Sequence, residues 1–541
     1  MSIFRRLFAA EGGTIMVLAA FALTAVMGMS GLAVEVGNGY STKVRNQRVA
    51  DMAALGAAQA YQTSQSAATA TQVAKDIVAA SGLPASSATV NAPVTVNGVS
   101  AITVTVTTAV PVRLAQVVMN NTSYNVTNTA AASLTNTSTP GCFTTLSSTA
   151  TNGISLTGGT SMTATGCGVA SNAGVSLTWG TKITAQQVVA GKVVSDPGNG
   201  ITTTPTANNV KQNKGTTATD TVGSDPRIVA GFAKVGAYTA VSTPTGNPAD
   251  WNFDWNHSGP VASWWNSSTG TYTVPANTVP YKVGSITVAG GIKVVVQDGV
   301  AIQSKGGIAM SGTSMTMGAV TLDIGGQVNV SGGGSMSVAS GNVAIGSSSG
   351  NAINVDGGAS LSFGNGTFSA NGSITTSGGS SITFGATASH YINGALSLSG
   401  SATFGPGAYY INGNFANGTG GTMTGTGVTF FLGGSLSAGG GASMDLVAPT
   451  TDAGGGVANL LFATKSNAAT TLSGGATGIL GGMIYAPNSD LNMSGGASAN
   501  SGGCFSVVVN TITLSGGTAA GTACNGLGSG SGSGGGVSLL Q

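Results

Sequence analysis

The strongest apolar run in the chain lies close to its amino terminus. Residues 13–34 are twenty-two consecutive positions without a charge or a proline, and about 20 apolar residues suffice to cross the hydrocarbon core of a bilayer. Beyond this run, Lys43, Arg45 and Arg48 alternate with apolar side chains at helical spacing. The pattern predicts a transmembrane helix over 13–34 that continues as an amphipathic helix over 35–62.

The next stretch, residues 63–139, has the pattern of a small α+β module. Its first part is typical of one more helix, which Gly82 and Pro84 end. Three segments that alternate apolar or β-branched residues with polar ones follow, as half-buried strands do. We therefore expect a long helix laid on a three-stranded sheet.

From residue 140 onward the chain repeats short glycine-rich phrases of the SGG type. These phrases begin at Ser331, Ser377, Ser399, Gly439, Ser473, Ser494 and Ser515. Most gaps between them are near one or two multiples of about 21 residues, a period typical of one solenoid coil. The phrases also carry alternating apolar residues, such as Ile382 and Phe384, which a flexible glycine-serine linker lacks. We expect a right-handed parallel β-helix with glycines at its corners; low-complexity disorder is the alternative.

The patterns together predict a mixed architecture, with an apolar helix, an α+β neck and a mainly-β solenoid. The predicted segments are a cytoplasmic head at 1–12, the transmembrane helix at 13–34, the amphipathic extension at 35–62, the α+β module at 63–139, a first solenoid part at 140–224, a tryptophan-rich insertion at 225–281, the main solenoid at 282–525 and a flexible tail at 526–541.

The tryptophan-rich insertion contains four of the five tryptophans of the chain, Trp251, Trp255, Trp264 and Trp265. Aromatic faces stack on sugars and dominate interface contacts, so these four residues are candidates for ligand binding in a protruding insertion. The alternative is an aromatic plug that seals the end or flank of the solenoid. The sequence slightly favours the plug.

Charge and cysteine content narrow the function classes. Charged residues make up 6% of the chain and the net charge is +2, so no basic field for nucleic acid exists. The four cysteines show no zinc-binding spacing. They form two local pairs, Cys142 with Cys167 and Cys504 with Cys524, which favours two disulfides and an oxidising compartment. Four buried free thiols are the alternative.

A β-helix enzyme requires clustered ionisable groups, and the sequence offers few. Polysaccharide lyases and hydrolases need carboxylates, or cations beside calcium-binding acids, that converge on the substrate. The solenoid segment has widely spaced aspartates, with only Asp445 and Asp452 within ten residues of each other, and neither His257 nor His390 lies in a motif. We therefore expect no catalytic, cofactor or metal site.

The amino-terminal pattern resembles the first module of Tad (tight adherence) pilus-assembly proteins, most closely the TadG-like branch. The resemblance rests on GLAVEVG at Gly31–Gly37, on Tyr40, and on QRVADMAALGA at Gln47–Ala57. Glu35 stands where the family usually has Asp, and Met52 and Gly56 replace alanines. The resemblance covers only about the first sixty residues.

The resemblance implies a pilin-like neck and a role in assembling or anchoring Flp-type pili, and hence in adhesion and biofilm formation. Its expected partners are the lipid bilayer and other Tad assembly proteins or pilins, and the solenoid would lie in the periplasm or at the cell surface, beyond a single-pass inner-membrane anchor. The candidate partner-contact residues are Glu11, Glu35, Gln47 and Asp51. No Asp-x-Ser-x-Ser metal site of a von Willebrand factor A-type domain is present. A surface adhesin that binds glycans and a carbohydrate-active β-helix enzyme are the alternative functions.

We predict that the apolar helix stays attached in the mature protein. A cleaved signal peptide is the alternative, but the apolar run exceeds the usual 7–15 residues and its only tolerable cleavage site is Gly31-Leu32-Ala33. Intact-mass spectrometry of protein recovered from membranes should find the helix. A mature chain that begins near Val34 would refute the anchor.

Overall fold

The chain divides into two compact units, one of Met1–Thr137 with Gly535–Gln541 and one of Ser138–Gly534. The structure, a computed structural model, describes residues 11–64, 66–96, 99–113, 122–134, 141–204, 208–220, 222–500, 504–522 and 539–540.

One helix, α1 (Glu11–Ser64), carries the whole amino-terminal apolar run and its amphipathic extension without a break. The second helix, α2 (Ala67–Ala80), starts at Ser66, whose side chain accepts a hydrogen bond from the Thr69 amide, as an N-cap serine does. It ends just before Gly82, which has a φ of +76° and so favours glycine.

The sheet of this unit contains the antiparallel strands β1 (Ala88–Val96), β2 (Val99–Pro111) and β3 (Ser123–Ser133). Helix α1 packs on it through small residues such as Ala53 and Ala57, which lie against Ile102 and Val104 in one buried cluster. Because alanines present little bulk, the helix backbone lies close to the sheet. The unit is therefore an α+β module with a three-stranded antiparallel meander, but the long helix laid on the sheet is α1, which lies outside the predicted bounds of 63–139.

The second unit is built of strands that pair in parallel, with one antiparallel pair between Trp265–Asn266 and Thr271–Val274. The first group is β4 (Gly141–Thr145), β5 (Asn152–Leu156), β6 (Ser161–Ser171), β7 (Gly174–Leu177), β8 (Lys182–Ala190), β9 (Val194–Ser195), β10 (Ile201–Thr203) and β11 (Val210–Lys211). After a helix, α3 (Pro226–Ala233), the second group is β12 (Trp251–Phe253), β13 (Trp265–Asn266), β14 (Thr271–Val274), β15 (Tyr281–Val283), β16 (Ile286–Val288), β17 (Lys293–Val296), β18 (Ala301–Ser304), β19 (Ile308–Ser311), β20 (Ser314–Ile324), β21 (Val328–Ser331), β22 (Ser335–Val355), β23 (Ser360–Asn365), β24 (Phe368–Thr376), β25 (Ser381–Phe384), β26 (Ser389–Ile392), β27 (Leu396–Leu398), β28 (Ser401–Phe404), β29 (Gly407–Ile411), β30 (Phe415–Asn417), β31 (Thr422–Thr426), β32 (Val428–Leu432), β33 (Leu436–Ala438), β34 (Ser443–Val447), β35 (Leu460–Thr464), β36 (Thr470–Leu472), β37 (Thr477–Met493), β38 (Ser498–Asn500), β39 (Phe505–Leu514) and β40 (Ala519–Thr522). Short 3₁₀ helices lie at Ala85–Ser87 in the first unit and at Gly259–Trp264 and Ala453–Gly455 in this one.

A final strand, β41 (Leu539–Leu540), pairs with β3 and so belongs to the first unit. The sequence predicted a flexible tail over 526–541. Of that stretch, the structure describes only these two residues.

The strands of the second unit form a parallel solenoid of about 17 turns, as predicted. Strand β25 shows the alternation: Ile382 and Phe384 point into the core, and the flanking Ser381 and Thr383 are half-buried on the outside. Each coil pairs with the next in register, for example Phe384 with Phe404. The apolar residues of successive coils therefore form one continuous core.

Glycine doublets make one corner of the coils. In Gly474-Gly475 and Gly495-Gly496 both residues have a positive φ, between +57° and +76°, a conformation that side chains disfavour. The doublets stack directly, because the Gly475 amide donates to the Gly495 carbonyl at 2.9 Å. A Cβ on Gly495 would lie 3.2 Å from the Gly474 nitrogen. The predicted glycine corners are thus required both by backbone conformation and by close stacking.

The spatial order of the coils differs from their order in the sequence. Strand β39, near the end of the chain, pairs with β4 and β5, and β40 pairs with β6. The first solenoid part therefore stacks beyond residues 505–522, at the far end from the coil that begins at Trp251. The chain has to return along the whole solenoid to connect β11 to β12.

Residues 212–250, which we call the strap, make this return along the outside of the solenoid. The contacts run in inverse order along the coils: Asp220 with Tyr485, Arg227 with Asp452, Phe232 with Phe431, Lys234 with Tyr410, Thr239 with Ser369, Lys305 with Gly246 and Asn247, and Asp250 with Ser285. The predicted insertion at 225–281 thus consists of strap up to residue 250 and of solenoid strands and connections after it.

The strap covers an outward-facing apolar row. Tyr391, Tyr410, Phe431, Ala463, Tyr485 and Val508 are paired in register from coil to coil on the outside. All of them except Tyr391 belong, with Ile228 of α3, to a second buried cluster of this unit. Tyr391 and Phe232 are partly buried and pack against that cluster. Consequently β29, β32 and β35 are buried on both faces.

His390 lies inside the solenoid core, 1% exposed. Its ring stacks on Tyr409 with centroids 3.9 Å apart, and its Nε2 donates to the Gly385 carbonyl at 3.0 Å. Burial lowers the pKa of His390 from its ordinary 6.5 to about 4, so the folded protein holds it neutral.

This burial predicts acid sensitivity of the solenoid. Between pH 6.5 and 4 the unfolded chain binds a proton on His390 that the folded chain does not, so stability is greatest above pH 6.5 and falls by up to about 3 kcal/mol as the pH decreases. His390→Phe should remove that part of the pH dependence in urea unfolding. Tyr409→Phe, in the same stack, should shift stability equally at all these pH values. An unchanged pH dependence in His390→Phe would contradict the prediction.

Candidate functional site: the amino-terminal helix and its neck

Helix α1 exposes an apolar surface over its first half. Met16, Phe21, Leu23 and Val36 are each at least 60% exposed. Among the described residues, one helix, Met16–Tyr61, is long and apolar enough to cross a membrane. By length and composition this helix is consistent with a membrane anchor.

Glu35, a predicted partner-contact residue, makes an internal contact. It is 8% exposed, and its carboxylate accepts a hydrogen bond from the Arg113 amide at 2.6 Å. The Tyr124 hydroxyl donates to the Glu35 carbonyl at 3.1 Å. Glu35 thus joins α1 to the chain just after β2 and, through Tyr124, to β3.

Gln47 and Asp51 also form part of an internal network. The Gln47 amide donates to the Asp51 carboxylate at 2.8 Å, the contact expected of residues four apart on a helix. The Gln47 carbonyl in turn accepts from the Asn128 side chain of β3 at 2.9 Å. Both α1 residues are half-buried. The side chain of Glu11, the fourth candidate, lies outside what the structure describes.

Asn46 is a residue that the sequence analysis missed. It is fully buried, its amide donates to the Val126 carbonyl at 2.9 Å, and its oxygen accepts from the Thr108 hydroxyl at 3.0 Å. It therefore ties α1 to both β2 and β3. The available signal was its spacing: Asn46 lies on the same helix face as Val49, Ala50 and Ala53, which are buried.

Gly56, one of the two departures from the family pattern, has a packing role. A Cβ there would collide with the end of the Ile77 side chain of α2. Glycine at this position lets α1 and α2 approach closely. Met52, the other departure, is 43% exposed.

The predicted disulfide between Cys142 and Cys167 is present. It joins β4 and β6, which pair in adjacent coils, and both cysteines are buried in the solenoid core. Cys504 is also disulfide-bonded; its predicted partner, Cys524, lies outside the described residues.

The four candidate tryptophans separate into buried and accessible ones. Trp251 is 5% exposed, and Trp264 packs against it with ring centroids 4.9 Å apart. Strands β12 and β14, on either side, pair with β16 and β17 of the next coil. This part of the segment is a coil of the solenoid with an aromatic core, in keeping with the plug, whereas Trp255 is 61% exposed.

Three charged residues of the solenoid unit, Asp225, Arg227 and Asp452, bind one another. Arg227 bonds to Asp225 at 2.6 Å and to Asp452 at 3.1 Å, across the contact between strap and coil. The Arg227 hydrogen bond lowers the pKa of Asp225, and a hydrogen bond from the Ala458 amide, together with Arg227, lowers that of Asp452. Burial and Asp220 raise the pKa of Tyr485. Among the described residues, no group of three or more His, Cys, Asp or Glu side chains is arranged to hold a metal ion.

The described architecture defines a class of protein: one apolar amino-terminal helix on a small α+β unit, followed by a parallel β-solenoid. Residues 13–60 match a family model, Tad, described as putative Flp pilus-assembly TadE/G-like. This match confirms the resemblance found in the sequence and supports a pilus-related role. Neither the curated proteins nor the solved structures gave a match to the chain.

Asn46 provides a test of how the neck is held together. Asn46→Ala should lower the free energy of unfolding of the neck by about 1–3 kcal/mol, because it leaves the Thr108 hydroxyl and the Val126 carbonyl without their buried partner. Asn38→Ala, at an exposed position of the same helix, is the matched control. Hydrogen exchange of β2 and β3 amides in detergent measures the difference. Equal exchange in the two variants would contradict the role of Asn46.

Proposed function

We propose that this protein is a membrane-anchored, extracytoplasmic component of the Tad/Flp pilus-assembly system with a structural role. The observation that carries the proposal is the family match at 13–60, combined with a helix whose apolar side chains are exposed over Met16–Val36. In the proposal, this helix anchors the protein in the inner membrane and contacts other assembly proteins or pilins. The solenoid then acts beyond the membrane in anchoring or adhesion, and so in biofilm formation.

The disulfide supports an extracytoplasmic position for the solenoid. Disulfides persist in oxidising compartments such as the bacterial periplasm and are rare in the cytosol. The Cys142–Cys167 bond lies within the solenoid core. An amino-terminal anchor with a short cytoplasmic head would place this unit on the oxidising side.

We propose a non-catalytic role because three aspartates of the solenoid, Asp298, Asp452 and Asp490, bind groups of neighbouring coils or of the strap. Asp298 accepts from the Ala319 amide of the next coil at 2.7 Å, and Asp490 accepts from the Asn510 and Thr511 side chains at 2.8 and 2.7 Å. Asp452 is bound to Arg227. These carboxylates stabilise neighbouring coils, a use that differs from the convergence on a substrate that catalysis requires.

An anchor exchange tests the proposed assembly role. Residues 16–34 are replaced by an unrelated single-span apolar helix of equal length, which preserves insertion but changes the surface of α1. We expect the exchanged protein to remain in the membrane fraction while pili are lost and Tad assembly proteins no longer co-purify with it. A matched control carries a conservative exchange of Leu and Val at four lipid-exposed positions of the native helix.

Two outcomes separate the parts of this proposal. Normal piliation after deletion of the whole gene would overturn the pilus-related role. Loss of pili on deletion, but normal piliation with the exchanged helix, would keep that role and show that α1 serves only as an anchor.

A further inference from the structure

Residues 251–281 form the coil at the end of the solenoid opposite to residues 141–211, and we call it the first coil. It has an inner and an outer aromatic layer. The inner layer contains Trp251, Phe253 and Tyr272, which are at most 5% exposed. The outer layer contains Trp255, His257 and Trp265. The inner rings seal the core, and Trp265 packs against them on its inner side, 5.0 Å from the Tyr272 ring. Sealing does not require Trp255, which is mostly exposed.

Trp255 is held in place although most of its surface is open. It is 61% exposed, yet its indole N–H donates to the Gly290 carbonyl at 3.2 Å. A Cβ on Gly291 would lie 3.4 Å from the indole, so the ring rests against a glycine turn. A fixed aromatic ring loses little conformational entropy when a ligand stacks on it.

Trp265 and His257 form a second rigid element beside it. Their rings stack with centroids 3.9 Å apart and an angle of 18° between the ring planes. The Trp265 ring centroid lies 6.4 Å from that of Trp255, and the two ring planes make an angle of 71°. His257 has a φ of +49°, a conformation that costs a non-glycine residue about 1 kcal/mol or more and is frequent at functional sites.

A hydrogen-bond chain holds His257 in this conformation. The Tyr272 hydroxyl donates to the Asp254 carbonyl at 2.7 Å. Because this uses the hydroxyl proton, the His257 Nδ1 donates to the same hydroxyl oxygen at 2.9 Å. The coil therefore fixes two aromatic elements nearly at right angles before any ligand arrives.

The surroundings of these rings are polar but almost without charge. Between Trp251 and Tyr281 the sequence contains one carboxylate, Asp254, and no Lys or Arg, whereas Asn252, Asn256 and Asn266 are exposed. The adjoining cations are Lys282, directly after this coil, and Lys293, in register with Thr271. So few charges make only a weak field for a charged polymer. Hydrogen-bonding groups beside an open aromatic face suit a ligand with hydroxyl groups and an apolar ring face.

The exposed area of Trp255, His257 and Trp265 also restricts the size of the ligand. An aromatic side chain buries about 150–250 Å² when fully covered, so three partly exposed rings offer far less than the roughly 800 Å² per partner of a stable protein interface. One or two sugar rings match this area.

We propose that Trp255, together with the Trp265–His257 pair, is a binding site for an uncharged polysaccharide, with a pyranose ring stacked on the Trp255 indole. Trp265 forms the side wall of the site and His257 is a positioning residue. The site lies entirely in the solenoid, so this proposal does not rest on the pilus-related function.

Co-sedimentation of the full chain in detergent with insoluble cellulose, chitin and mannan tests the site, with fluorescence titration by the matching soluble oligosaccharide. We expect binding to at least one of these neutral polymers and none to alginate, which is anionic. Trp255→Ala should weaken binding about tenfold or more, which corresponds to the loss of about 1.4 kcal/mol. Trp255→Tyr, which keeps an aromatic face, should restore part of it.

Trp179 provides the matched control. It is 76% exposed, but it lies in the turn between β7 and β8, away from the first coil. Trp179→Ala should leave the dissociation constant within about twofold of the original. His257→Gly, which suits the backbone conformation and removes the stacked ring, should weaken binding without lowering the melting temperature of the solenoid.

Two results would overturn the site. They are a failure to bind any of the three neutral polymers, and equal losses of binding in Trp255→Ala and Trp179→Ala. Lost binding in Trp255→Ala counts in favour only if its melting curve matches that of the original protein.

Discussion

Each coil of the solenoid can bury its inward side chains only against another coil, and this dependence governs the whole second unit. Phe384 is covered by Phe363 and Phe404 of the adjacent coils. A stack of this kind leaves two uncovered ends, where the last coil has no neighbour. It also leaves unpaired strand edges that invite association. The chain resolves these two ends in different ways.

At one end, the coil that starts at Trp251 fills its interior with large aromatic rings. At the other end the strands become very short, since β9 and β11 have two residues each and β10 has three. Short edge strands offer few backbone groups for another chain to pair with. The strap is fastened near this end by Asn172, which donates to the Ala218 carbonyl and accepts from the Thr217 and Ala218 amides at 2.7–2.8 Å.

The alternation of Ile382 and Phe384 and the glycine doublets were sufficient to predict the solenoid, because both follow from local rules. The strap was not predicted, although a signal was present. Ala408–Ile411 and Phe430–Leu432 are continuous apolar runs rather than alternating ones, and such runs indicate strands buried on both faces. Interpreting these runs requires knowing that another segment, here the strap, covers the outer face of these strands. The stacking of β4 on β39 was beyond the sequence for a different reason: the coils are so similar that local pattern does not specify which coil pairs with which.

In the first unit, the residues that carry the family resemblance are largely those that hold the neck together. Glu35 accepts a hydrogen bond from Arg113, just after β2, and Gln47 bonds to Asn128 of β3. Ala50, Ala53 and Ala57 are fully buried on the side of α1 that packs against the sheet. A family sequence pattern can reflect the packing of a fold as readily as contacts with partners. For the polar residues of this pattern, only their hydrogen bonds in the structure show that they hold α1 to the rest of the unit. Any contact that α1 makes with other proteins in the membrane must therefore use what the neck leaves open. That surface is the apolar, small-residue half of the helix from Met16 to Val36, which acts through shape and packing, because charges are absent from it apart from the buried Glu35.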